Sequence, residues 1–235
     1  MPVKFNSSSY VCAMALLQVA FLTGCNNGDA TSPVDASQNA QAVTNSVVVK
    51  GPERLILAFG DSLYAGYGLK QGNSMPAQIE ALLRQQGINA KIANASVSGD
   101  TTSAGRKRLA FALDSLPRKP DLVMLGLGGN DVLRQIPVAE TRSNLVAMLD
   151  ELRRRDIPVV LTGMRAPPNL GPDYAGQFDT MYPDLARKYR ADLDPFVLTG
   201  VLGDRRLMLP DGIHPNKNGI DVMAARIAPI VARRL

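Results

Sequence analysis

The feature that most constrains the fold is an alternation of short apolar runs with longer amphipathic stretches. Residues 55–59 and 122–127 are apolar throughout, as expected for strands buried on both faces of a sheet. Residues 139–154 instead place Leu145, Met148 and Leu152 on one face of a helix. Strands separated by helices predict a parallel sheet with right-handed crossovers.

Applied to the whole chain, these patterns predict an α/β fold, a three-layer α/β/α sandwich with a mainly parallel sheet of about five strands. The predicted strands cover residues 55–59, 90–95, 122–127 and 157–162, with a short last strand at 206–209. The predicted helices cover residues 76–86, 101–113, 139–154, 174–189 and 216–234.

The first part of the chain has the pattern of an export signal. Lys4 precedes an apolar run at 11–22, which is too short to span a bilayer as a helix. Residues 26–52 are rich in Asn, Ser, Ala and Thr and favour a flexible spacer. We therefore expect a signal at 1–24, an anchor and linker at 25–52, and a folded domain at 53–235.

The sequence Leu-Thr-Gly-Cys at 22–25 resembles the lipobox of bacterial lipoproteins. The resemblance implies that Cys25 is acylated and anchors the protein to a membrane of the cell envelope, facing the periplasm. Asn26, in place of aspartate, resembles lipoproteins sorted to the outer membrane. The alternative is an ordinary secretory signal cut nearby, which gives a secreted or periplasmic protein.

Composition excludes several other classes of function. A content of 46% hydrophobic and 20% charged residues is ordinary for a globular domain, and we expect it to be monomeric. The formal charge of +5 includes basic clusters at 106–108 and 153–155, which we interpret as solvated helix faces rather than a nucleic-acid site. The only other cysteine, Cys12, lies in the signal, so the mature chain has no cysteine pair for a disulfide or metal cluster.

Reactive residues follow the predicted strands. Ligands bind parallel sheets beyond the carboxyl ends of the strands, which makes those loops the place to search. They contain the hydroxyl of Ser62, the glycine Gly99, the amide of Asn130, and His214 three residues after Asp211. Parallel topology brings these loops to one edge of the sheet.

His214 is the only histidine in the chain, so any proton transfer by imidazole depends on it. Ser62 needs such a base, and Asp211 can orient the ring and stabilise its charged form. Taken alone, a single histidine is more often structural, and Gly99 can simply make a turn. We interpret Asp61 as a helix cap and Asp131 as a structural hydrogen-bonding residue.

The four blocks Gly-Asp-Ser-Leu at 60–63, Ser-Gly-Asp at 98–100, Gly-Gly-Asn-Asp at 128–131 and Asp-Gly-Ile-His at 211–214 resemble the SGNH hydrolases, or GDSL-type esterases and lipases. The resemblance implies a flavodoxin-like sheet, no cofactor or metal, a Ser62–His214–Asp211 triad, and an oxyanion hole made by Ser62, Gly99 and Asn130. The second glycine of Gly-x-Ser-x-Gly is missing, which argues against an α/β-hydrolase.

Residues 62–68 and 164–174 resemble the bacterial branch of multifunctional acyl-thioesterases, lysophospholipases and arylesterases. This implies a serine esterase for aryl esters, lysophospholipids or thioesters, with small-molecule or lipid acyl esters as partners. Val132, Leu133 and Ile136 are candidates for the acyl groove, or else they only pack the loop. Two alternatives stay open: a carbohydrate O-deacetylase of the same superfamily, and an inactive envelope-binding lipoprotein.

Overall fold

The computed structural model describes residues 49–235, so the predicted signal, Cys25 and most of the linker lie outside the described residues. The strands are β1 (Arg54–Gly60), β2 (Ala90–Asn94), β3 (Leu122–Gly126), β4 (Val159–Thr162) and β5 (Asp192–Asp194). The α-helices are α1 (Ser62–Ala65), α2 (Met75–Gln85), α3 (Thr102–Asp114), α4 (Gly129–Leu133), α5 (Val138–Arg154), α6 (Pro172–Tyr189) and α7 (Lys217–Ala232), and a 3₁₀ turn covers Pro168–Leu170.

The five strands form one parallel sheet in the order β2-β1-β3-β4-β5. This is the flavodoxin-like order, and the predicted fold class is confirmed. The strand order reverses beside β1, and β1 pairs with β3 so that Gly60 lies opposite Gly126. The loops that follow β1 and β3 therefore flank the switch point, where ligands bind in sheets of this type.

Alternate side chains of the strands face two separate apolar layers. Leu57 and Phe59 of β1 point into the layer formed by α3, α5 and α6. Ile56 and Ala58 point the other way, towards α2 and α7. Because β1, β3 and β4 are covered on both faces, these three strands are continuous apolar runs in the sequence.

The predicted last strand at 206–209 is wrong. Met208 makes only an isolated antiparallel bridge with Pro215, and the fifth strand is instead β5. Asp194 of β5 is buried and paired with Arg226 of α7. A three-residue Asp-Leu-Asp strand has no apolar pattern, because ion pairing replaces apolar burial on one of its faces.

Residues 49–235 contain the whole sheet and both apolar layers, and all of them fall in one compact unit. Within this part of the chain, no helix is long and apolar enough to cross a membrane.

Candidate active site

Ser62 is the first residue of α1 and follows β1 after a single residue, Asp61. Asp61 caps the helix, as expected, because its carboxylate accepts a hydrogen bond from the N–H of Leu63 at 3.1 Å. The N–H of Ser62, at the first helical position, has no protein acceptor among the described residues. It is therefore free to bind an anion beside the hydroxyl.

Tyr64 fixes the direction of this short helix. Its ring fills the space left by Gly60 and Gly126, where an added Cβ would come within 2.7 Å and 2.4 Å of the ring respectively. Its hydroxyl lies 3.0 Å from the hydroxyl of Thr162, at the end of β4. Two glycines at adjacent strand ends thus let a buried tyrosine hold the helix that carries Ser62.

His214 is held by a tight loop before α7. The N–H of Leu209 donates to the carbonyl of His214 at 2.7 Å, next to the bridge between Met208 and Pro215. One oxygen of Asp211 accepts from the backbone N–H groups of Ile213 and His214, each at 2.9 Å. These donors, with the His214 N–H first, hold the pKa of the Asp211 carboxyl at about 2.

The three predicted catalytic side chains form one hydrogen-bonded series. The other oxygen of Asp211 lies 2.7 Å from Nδ1 of His214, and Nε2 of His214 lies 2.9 Å from Oγ of Ser62. When Nδ1 donates to the carboxylate, Nε2 is left free to accept the serine proton. The ring of Tyr67 covers the imidazole, with centroids 4.3 Å apart.

Gly99 and Asn130 stand at the neighbouring strand ends. Gly99 has a positive φ of 86°, and within residues 49–235 its N–H has no protein acceptor. The side-chain amide of Asn130 donates one hydrogen to the carbonyl of Asp100 at 3.0 Å, which leaves its second N–H available. With the N–H of Ser62, these groups can supply three donors to an oxyanion.

Arg108 of α3 ties these loops together. Its guanidinium donates to Asp100 at 2.5 Å, to the carbonyl of Gly60 at 3.2 Å, and to the carbonyl of Ala95. Its guanidinium carbon also lies over the ring of Phe59, 3.9 Å from the centroid. The interpretation of residues 106–108 as a solvated helix face is therefore wrong for Arg108. Its guanidinium group hydrogen-bonds to acceptors at the end of β1 and in the loop that follows β2.

Two buried acids support the site without joining the Ser62–His214–Asp211 series. Asp131 has no exposed surface and accepts from the N–H and hydroxyl of Thr102 and from the hydroxyl of Thr141, the structural role expected for it. Asp61 is 4% exposed, and burial raises its pKa to about 6. Its carboxyl therefore keeps its proton to a higher pH than an exposed aspartate does.

An apolar cavity of about 280 Å³ opens beside Ser62 and His214. Of the three residues expected to form an acyl groove, Val132 and Leu133 line it. Ile136 does not: it lies beyond the end of α4, where its carbonyl accepts from the hydroxyl of Tyr174. Met164, Arg165 and Pro167 also line the cavity, from the segment 164–174 that resembles the thioesterase and arylesterase branch. The walls that the sequence did not indicate are Phe196, Leu198 and Leu202.

No group of three or more His, Cys, Asp or Glu side chains within 49–235 has the arrangement to hold a metal ion. The acids nearest to Ser62 are already engaged by Leu63, Arg108 and His214.

A serine hydroxyl, an imidazole and a carboxylate joined in series at the carboxyl edge of a parallel sheet form the arrangement of a serine hydrolase. The model of the GDSL-like Lipase/Acylhydrolase family matches residues 58–222, and the chain belongs to that family. The predicted family and enzyme class are thereby confirmed: the protein is a serine esterase, a carboxylic ester hydrolase.

The chain is similar to several known hydrolases along nearly the whole domain. It is 36% identical over 180 residues to an arylesterase of Vibrio mimicus, covering 77% of this chain and 89% of that one. It is 33% identical over 180 residues to the thioesterase 1/protease 1/lysophospholipase L1 of Escherichia coli K12, covering 75% and 84%. A crystal structure of AlinE4, an SGNH-hydrolase family esterase, superposes with a TM-score of 0.68 and 53% identity, covering 79% of this chain and 98% of that one.

Proposed function

We propose that Ser62 is the nucleophile, His214 the general base and acid, and Asp211 the group that orients the imidazole. The observation that carries this proposal is the pair of short contacts through His214, 2.9 Å to Ser62 and 2.7 Å to Asp211, at the mouth of an apolar cavity. The reaction is hydrolysis of a carboxylic acyl ester through an acyl-serine.

In the first half of the reaction, Oγ of Ser62 attacks the acyl carbonyl carbon while its proton passes to Nε2 of His214. The negative oxygen accepts from the N–H of Ser62, the N–H of Gly99 and the free amide hydrogen of Asn130. The alcohol leaves with the proton from Nε2. A water molecule then gives a proton to Nε2 and attacks the acyl carbonyl carbon. The bond between that carbon and Oγ breaks, the acid leaves, and Nε2 returns the proton to Oγ of Ser62.

Medium-length acyl chains fit this site better than acetyl groups alone. The cavity is walled mainly by apolar side chains, among them Leu133, Phe196, Leu198 and Leu202, and these suit an acyl chain better than a sugar ring. The names of the relatives, an arylesterase and a thioesterase/lysophospholipase, support aryl esters, lysophospholipids and thioesters as substrates. An acetyl-specific deacetylase leaves this apolar volume unused.

Purified enzyme assayed with p-nitrophenyl esters from acetate to octanoate tests the proposal. Ser62→Ala and His214→Ala should each lower kcat on the order of 10⁴- to 10⁶-fold, as loss of one member of such a unit does. Asn130→Ala should cost about 10²- to 10³-fold. Near-normal rates in either of the first two variants overturn the triad, and activity confined to acetate favours the deacetylase.

We also propose that Cys25 is acylated and anchors the enzyme in the cell envelope, with the domain facing the periplasm and the outer membrane as the expected site. The Leu-Thr-Gly-Cys sequence at 22–25 and Asn26 support this placement. More than one acyl chain is needed for stable anchoring, because a single chain binds only weakly. Mass spectrometry of the mature amino terminus should find an acylated Cys25; a free terminus elsewhere indicates a secreted or periplasmic form.

A further inference from the structure

Exposed apolar side chains are concentrated around the mouth of the catalytic cavity. Residues 49–235 expose seven large apolar side chains, and four of them meet at this place. We call these four the apolar rim: Tyr67 (51% exposed), Leu133 (57%), Leu202 (54%) and Ile213 (46%). Leu133, Leu202 and Ile213 also line the cavity, and Tyr67 covers His214.

The rim is assembled from four separate segments. Tyr67 follows α1, Leu133 ends α4, Leu202 lies between β5 and α7, and Ile213 belongs to the loop of His214. Single exposed apolar residues are common on soluble proteins and need no explanation. Convergence of four from distant parts of the chain around one opening is different, because contiguous exposed patches mark surfaces that contact protein or lipid.

Two arginines stand at this rim without a carboxylate partner. Arg165 lines the cavity and lies over the ring of Phe196, 5.6 Å from its centroid. Arg134 donates to the carbonyl of Gly99 at 3.1 Å. In the described part of the chain neither forms an ion pair, whereas Asp100 is paired with Arg108 and Asp211 is hydrogen-bonded to the ring of His214. The mouth therefore presents apolar side chains beside two arginines that have no carboxylate partner.

We propose that the apolar rim docks on the surface of a phospholipid bilayer, so that the enzyme draws amphiphilic acyl esters directly from a lipid surface. The proposal rests on the esterase function given above and extends it to how the substrate is presented. Binding at a bilayer interface grows with the apolar area inserted and with attraction to anionic lipids, and the rim with Arg134 and Arg165 supplies both.

Sedimentation of residues 49–235 with vesicles of ether-linked phosphatidylglycerol tests the docking. Ether lipids offer no carboxylic ester, so binding is measured apart from hydrolysis and its failure is distinct from a failure of the esterase. Residues 49–235 form one compact unit that contains both apolar layers, so this part of the chain has a core of its own. We expect the protein to sediment with the vesicles and to be released by high salt.

Leu133→Ser and Leu202→Ser should each weaken vesicle binding about tenfold, from the apolar area that each removes. Phe111→Ser is the matched control, because Phe111 on α3 is 76% exposed but lies away from the cavity. Arg165→Gln should reduce the salt dependence without removing apolar contact, and circular dichroism checks the fold of each variant.

Three outcomes overturn the proposal. The first is no sedimentation with either phosphatidylglycerol or phosphatidylcholine vesicles. The second is sedimentation that Leu133→Ser and Leu202→Ser leave unchanged while Phe111→Ser weakens it, which places the contact elsewhere. The third is a dimer in analytical ultracentrifugation that Leu202→Ser dissociates, which makes the rim a contact between two copies of the chain.

Discussion

The ring of Tyr67 lies over the imidazole of His214, with centroids 4.3 Å apart and planes inclined by 31°. Tyr67 follows the same short helix that begins with Ser62. One segment therefore supplies the proposed nucleophile and also a cover for the proposed base. In the proposed mechanism the imidazole takes the serine proton during acylation and becomes positively charged beneath this ring.

Replacing Tyr67 by leucine should lower kcat about two- to fivefold. The face of an aromatic ring stabilises a cation at an exposed site by about 0.5–1 kcal/mol, and leucine cannot do so. Tyr67→Phe should retain the activity, because the ring and not the hydroxyl faces His214. Steady-state kinetics on a soluble p-nitrophenyl ester measure this; a loss in Tyr67→Phe equal to that in Tyr67→Leu assigns the effect to the hydroxyl instead.

Arg108→Lys should lower kcat about 10- to 100-fold with a smaller change in KM. The planar fork of Arg108 joins Asp100 to the carbonyl of Gly60, and an ammonium group cannot reproduce this geometry. Without it, Gly99 loses its fixed position relative to Ser62, and a small misplacement of such groups is costly.

Lys107→Met is the control for Arg108, because Lys107 is exposed on the same helix. Denaturant unfolding should show that Arg108→Lys also loses about 1–3 kcal/mol of stability, from hydrogen bonds made by a charged group. If the folded fraction of Arg108→Lys keeps the wild-type kcat, Arg108 only stabilises the fold and does not position the oxyanion donors.

The positions of the polar residues at the strand ends could be predicted from the sequence, because each motif comes directly after an apolar strand. Ser62 follows an apolar strand, Asn130 follows another, and a parallel sheet brings both ends to one edge. The hydrogen bond from Asn130 to the carbonyl of Asp100 and the contact of His214 with Ser62 agree with that expectation. The catalytic roles of these residues remain predictions.

Long-range packing explains what the sequence did not predict. Leu202 and Phe196 reach the cavity from a loop that has no periodic pattern, whereas Ile136, close in sequence to Asn130, does not line it. Arg108 sits in a basic run whose neighbours are exposed, so charge alone gave no sign of its role. β5 was not predicted, because a three-residue strand with two aspartates lacks the apolar run by which the other strands were identified.

Stability should depend on pH through Asp61. Burial raises its pKa to about 6, above the ordinary value of 3.8, so the folded protein binds this proton more tightly than the unfolded chain. The favourable contribution is present below about pH 4 and is lost as the pH rises towards 6. The loss amounts to roughly 3 kcal/mol at neutral pH, taken at 1.36 kcal/mol for each pH unit.

Asp61→Asn should therefore raise the free energy of unfolding at pH 8 by about 1–3 kcal/mol and change it little at pH 4. Asparagine keeps an oxygen that can cap α1 at the N–H of Leu63 without a buried charge. Urea unfolding at both pH values measures the difference, and an equal gain at pH 4 and pH 8 contradicts the role of burial in raising this pKa.

Asp211→Asn should lower kcat on the order of 10³- to 10⁴-fold by changing the tautomer of His214. The carboxylate accepts from Nδ1, and its pKa of about 2 keeps it charged above about pH 4. An amide group that donates towards Nδ1 moves the ring proton to Nε2, which then cannot take the proton of Ser62. His214 is the only histidine in the chain, so ¹⁵N NMR of labelled protein shows which of its ring nitrogens carries the proton. We expect the proton on Nδ1 in the wild type and on Nε2 in the variant; a variant that keeps the Nδ1 tautomer and still loses activity assigns the role of Asp211 to charge rather than to orientation.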